Sequence, residues 1–92
     1  MQWPESWEEI MPNEQKALEA ELKREVTLGH LLYNVSVTAV ARRRDCDDVL
    51  FATVGSSSVA VVHLSYGEEA NPLWPHTRFF GSLGEWKEIS EP

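Results

Sequence analysis

Apolar positions recur along this chain with two different periods, and the switch between them divides it. Leu18, Leu22 and Val26 return every four residues beside Ala17, with Glu14, Glu19, Glu21 and Lys23 around them. That is the narrow apolar stripe of a helix packed on a core with a solvated acidic face. Glu19 and Lys23 lie one turn apart as a stabilising pair. Pro12 is expected to end a preceding turn, because the residue before a proline avoids helical geometry. Asn13 then caps the helix, which runs to about Val26 with Gly29 as its stop signal. Further upstream, Ser6-Trp7-Glu8-Glu9 has the form of a capping box and predicts a helical turn in a short arm over residues 1–12.

From Leu31 the period falls to 2. Tyr33, Val35, Val37, Ala39 and Ala41 alternate with Asn34, Ser36, Thr38, Val40 and Arg42, which predicts a half-buried strand. Asp45–Asp48 reads as a turn, Val49–Val54 as a second strand, and Gly55-Ser56-Ser57 as a tight connection. Ser58–Tyr66 is predicted as a third strand, apolar on both faces through Val59, Ala60, Val61, Val62 and Leu64. Gly67–Pro75 reads as a loop punctuated by Asn71-Pro72 and Trp74-Pro75. Ser82-Leu83-Gly84-Glu85 is a second capping box, opening a short helix with Leu83, Trp86 and Ile89 on one face. The expected fold is α+β: an N-terminal helix, a three-stranded antiparallel β-meander, and a short C-terminal helix packed on the sheet. Length and composition support a single domain over residues 1–92, since 42% of positions are apolar and four are tryptophan.

Charge narrows the partners. The formal net charge of −7 disfavours nucleic-acid backbones and anionic membranes, which need clustered cations. Arg42-Arg43-Arg44 is the local exception, but Asp45, Asp47 and Asp48 follow at once and cancel its long-range field. An acidic domain steered towards a basic protein is the natural expectation. The longest apolar stretches, around Leu31–Ala41 and Val59–Leu64, fall short of the ~20 residues that span a bilayer. No secretory-signal pattern is read at Met1–Glu9, so a cytoplasmic location is expected. Cys46 is the only cysteine, so no intramolecular disulfide can form and no cysteine-based zinc site is expected.

Candidate chemistry is sparse. His63 stands mid-strand between Val62 and Leu64. Either its ring fills a place on the sheet face with one hydrogen bond, or it joins Asp47, Asp48 or His76 in a metal- or ligand-binding enzyme site. Neither spacing is diagnostic of a metal, and no cofactor is implied. Asp45 and Asp47 flank Cys46 and disfavour a thiolate nucleophile there. Ser56-Ser57-Ser58 lacks a nucleophile-elbow pattern, and Gly81-Ser82-Leu83-Gly84 is no phosphate loop. The aromatic residues Trp3, Trp7, Trp74, Phe79, Phe80 and Trp86 either cover a sheet edge or face, or leave part of the set exposed as a partner anchor. The candidate binding residues are therefore Trp74, Arg78, Phe79, Phe80 and Trp86. The leading expectation is a non-enzymatic protein-binding module. A homo-oligomeric subunit, with a homodimer paired through the sheet, is a further one.

The segments Asp47-Asp48-Val49-Leu50-Phe51, Val61-Val62-His63-Leu64-Ser65 and Trp74-Pro75-His76-Thr77, with Phe80, Ser82, Glu85 and Trp86, resemble small stand-alone bacterial proteins of uncharacterised function. The resemblance covers roughly Gly29 to Trp86 and implies a shared fold without an activity. At the level of fold, small acidic α+β domains are similar to immunity proteins that neutralise basic nuclease toxins, which implies an inhibitory role.

Overall fold

The computed structural model describes residues 3–66 and 75–90. Its elements are β1 (Trp7–Glu9), α1 (Pro12–Glu25), β2 (Val37–Arg43), β3 (Asp48–Thr53), β4 (Val59–His63), β5 (His76–Phe80) and α2 (Leu83–Ser90). The strands form one antiparallel sheet in the order β1-β2-β3-β4-β5. The order of helix, meander and helix follows expectation, but the sheet has five strands where three were predicted.

Both extra strands come from segments whose local signals point elsewhere. The Ser6–Glu9 capping box does not form. Ser6 takes a left-handed backbone, φ 74°, and Trp7, Glu8 and Glu9 pair with Arg43, Arg42 and Ala41. The ladder hydrogen bonds of β2 outweigh a helical turn too short to sustain itself. In the aromatic run, His76–Phe80 pairs along the whole of β4, from His63↔His76 to Val59↔Phe80. The predicted loop Gly67–Pro75 falls outside the described residues except for Pro75, which is buried.

Pro12 starts α1, with Met11 as an extended N-cap. A proline at the first helical position loses no hydrogen bond, because that N–H has no partner inside the helix. The first predicted strand begins later than its alternation suggests. Residues 29–34 instead form turns, with Gly29 at φ 101° and Asn34 at φ 60°. His30 holds this segment: its Nδ1 accepts from Leu32 N at 2.9 Å, so the opposite nitrogen, Nε2, carries the proton and donates to Pro75 O at 2.9 Å.

Helices cover both faces of the sheet. Leu18 and Leu22 of α1 pack with Ile10, Leu32, Ala39, Val49, Phe51, Ala60, Val62 and Leu64. On the other face Trp86 packs with Ala41, Leu50, Val59 and Val61, bordered by Trp3, Trp7, Phe80 and Leu83. This double cover is why β4 is apolar on successive residues. Trp86 lies edge-on to Trp7, with ring centroids 4.9 Å apart, and tilted against Trp3 at 6.2 Å. The second capping box is present in part: Ser82 Oγ accepts from Glu85 N at 3.1 Å, while the Glu85 carboxylate reaches the Gly81 amide, also at 3.1 Å. Ile89 is exposed, so among the described residues of α2 it is Leu83 and Trp86 that pack on the sheet.

A β-bulge reorganises β2. Ala39 pairs with Phe51 and Ala41 with Leu50, so Val40 is an extra residue. Ala39 and Ala41, expected on one face, therefore belong to opposite cores. Because β1 pairs only as far as Ala41, the outer edge of β2 beyond it is met by α1 side chains. Gln15 Nε2 donates to Ala39 O at 2.8 Å, and Glu19 Oε2 accepts from Ala39 N at 2.9 Å. Among the described residues, no helix is long and apolar enough to cross a membrane.

Candidate functional site

The α2 side of the sheet is apolar at one end and polar at the other. Cross-strand register builds the polar end. Asp48 opens β3, His63 closes β4 and His76 opens β5, and the three are successive Cα partners on one rung. Their side chains share a face, since directly paired residues in a sheet point the same way. Arg43 closes β2 beside them, and Arg78 stands two rungs along on the same face, opposite Val61. Arg43, Asp48, Val61, His63, His76 and Arg78 line a shallow groove of about 570 Å³.

Asp48 Oδ1 lies 2.7 Å from His63 Nδ1. A carboxylate only accepts, so Nδ1 carries the proton and Nε2 of the neutral ring keeps its lone pair. The His63 side chain is 53% exposed and Asp48 22%, so the dyad is open to a ligand. Asp48 is held in turn by Arg43, whose Nη1 is 3.8 Å from Asp48 Oδ2. Arg43 forks onto Asp45 through two 2.9 Å bonds. That hydrogen-bonded pairing raises the Arg43 pKa and holds the Asp45 carboxyl below its ordinary value. A chain of contacts thus runs Asp45–Arg43–Asp48–His63. The Arg78 guanidinium sits 5.8 Å from the centre of the Phe80 ring.

The sequence-derived binding residues are dispersed. Trp74 lies outside the described residues. Trp86 is 1% exposed and belongs to the core. Phe80 is half-buried against the same cluster. Phe79 points to the opposite face, paired with Ala60, and is 43% exposed. Arg78 alone of the five lines the groove. His63, Asp48 and His76 are brought together, whereas Asp47 contributes its carbonyl to Leu64 N instead. Arg43 was missed as a site member. Its signal is weak but present, because Arg43 and Asp48 flank a short turn, and residues flanking such a turn between antiparallel strands lie opposite each other.

Comparison of the chain with family models, with curated proteins and with solved structures finds no match in any of the three.

Proposed function

We propose that the groove binds a small oxyanionic ligand, such as a phosphate ester or carboxylate, and that His63 serves as general acid–base on it. The observation behind this reading is the Asp48–His63 dyad at 2.7 Å, opening onto a groove that also carries His76 and Arg78. An Asp-oriented imidazole presents Nε2 in one tautomer, which is the arrangement proton transfer requires. Arg43 is already forked onto Asp45. The anion is therefore carried chiefly by Arg78. Net negative charge elsewhere on the chain favours a small ligand over a polyanion.

The test is a titration with inorganic phosphate and phenyl phosphate, followed through the NMR signals of the His63 and His76 rings. Both rings should shift on binding, and Arg78→Ala should weaken it about tenfold, the loss of one charge-assisted contact. Equal affinity in wild type and Arg78→Ala would refute the proposal.

A second reading, the protein-binding module, draws on another surface. Tyr33 is 41% and Val35 39% exposed, and both line an open groove of about 590 Å³ between α1 and residues 32–37. Exposed apolar groups clustered beside a groove suit the apolar face of a partner helix, and the net charge of −7 favours a basic one. Tyr33→Ser with Val35→Ser should abolish such association, and raised salt should slow it. Capture unaffected by either change refutes this reading.

A further inference from the structure

The β2–β3 turn adds a third kind of donor to the dyad. The ligating atoms of Cys46, Asp48 and His63 all lie within 4.8 Å of one another. We infer that these three residues form a binding site for a thiophilic divalent metal of the zinc type. The donor set decides the class: one sulfur, one nitrogen and one oxygen match zinc, whereas calcium and magnesium demand oxygen alone.

The geometry shows what binding must change. At 2.7 Å, Asp48 Oδ1 and His63 Nδ1 are separated by a hydrogen bond. Two such ligands on tetrahedral zinc, each about 2.0–2.1 Å from the metal, stand about 3.3 Å apart. The metal thus takes the place of the Nδ1 proton, the neutral ring carrying its proton on Nε2 instead, and the pair opens by roughly 0.6 Å. His63 is half exposed at the end of β4, so a small ring rotation supplies that movement. Cys46 is half-buried in the turn and gives up its thiol proton on ligation. The bound thiolate and carboxylate together neutralise the dication. Arg43 is then left to its Asp45 fork, and His76 is left on the adjoining register position.

Three protein ligands leave the fourth tetrahedral position open, the pattern of a catalytic rather than a structural zinc site. That position adjoins the groove proposed above to take an oxyanion. Only this last step rests on the ligand reading, since metal affinity itself requires neither Arg78 nor an anion.

The test is competition between the reduced, metal-free chain and a chromophoric chelator for zinc, with cobalt as a spectroscopic substitute. Wild type should bind one equivalent and show the intense near-ultraviolet band of a cobalt–thiolate bond. Cys46→Ser should lose that band, and Cys46→Ser, Asp48→Asn and His63→Gln should each weaken zinc at least tenfold with unchanged circular dichroism. Arg78→Ala should leave zinc affinity unchanged while weakening phosphate, so the two proposals fail separately. A folded wild type without the cobalt–thiolate band overturns the metal site. So does zinc binding that persists undiminished in Cys46→Ser.

Discussion

Removing the Glu25 carboxylate should loosen the join between α1 and the end of β4. Glu25 is 0% exposed at the last position of the helix. Its Oε1 accepts from Ser65 N at 2.7 Å and Ser65 Oγ at 3.0 Å, and its Oε2 from Tyr66 N at 2.8 Å. Each bond contributes about 1–1.5 kcal/mol net, and the exposed position of Ser65 and Tyr66 lets water replace part of the loss. Glu25→Ala is therefore expected to cost about 2–4 kcal/mol. With an m-value near 1.5 kcal/mol/M, a loss of about 3 kcal/mol lowers the urea midpoint by about 2 M. Protonation adds a second signature. Burial raises the Glu25 pKa above its ordinary value of 4.5, and the hydrogen bond with Glu21 raises it further. The same hydrogen bond, with Arg24, lowers Glu21. The folded chain therefore holds a proton at Glu25 that the unfolded chain releases. The stability Glu25 contributes is complete below pH 4.5 and declines as pH rises through its raised value. Glu21 acts in the opposite window, contributing fully above 4.5 and losing its contribution as pH falls through its lowered value. Urea melts from pH 4.5 to 7.5 should show wild type losing stability relative to Glu25→Gln, which has no proton to release. Parallel pH profiles, or a Glu25→Ala cost below about 0.5 kcal/mol, the range of an ordinary surface change, would refute the argument.

Trp86→Ala should cost about 3–5 kcal/mol, because it empties the centre of the second core and removes both indole contacts. Thermal melting would show this, and the near-ultraviolet circular dichroism of Trp3 and Trp7 should collapse. Deleting Val40 should be tolerated about as well as Val40→Ala. With the extra residue gone, Ala39 and Ala41 become neighbours on a regular strand, still opposite Phe51 and Leu50 and still in opposite cores. A deletion variant that unfolds, while the urea midpoint of Val40→Ala stays near wild type, would refute this account of the register.

The sequence by itself determined the elements whose cause is local. α1 follows from the four-residue recurrence of Leu18 and Leu22, and α2 from a capping box that the structure largely realises. β3 and β4 follow from short apolar runs separated by a Gly-Ser turn, and the pattern of β4, apolar on both faces, fits either the middle of a sheet or a sheet covered on both sides. The tertiary structure decided the rest. Trp7–Glu9 and His76–Phe80 become strands only because β2 and β4 offer unpaired edges, and such long-range hydrogen bonding leaves no local periodicity. The Val40 bulge assigns Ala39 and Ala41 to opposite cores, although alternation puts them together. The site shows the same division. His63, Asp48, His76 and Arg78 were each visible as chemistry-bearing residues, but Asp48 and His63 meet at 2.7 Å only through strand register. Cys46 joins them because the turn between β2 and β3 returns it to the end of that rung. Residue types are written in the chain, whereas the face each side chain takes depends on counting pairs across strands, where one extra residue reverses the answer.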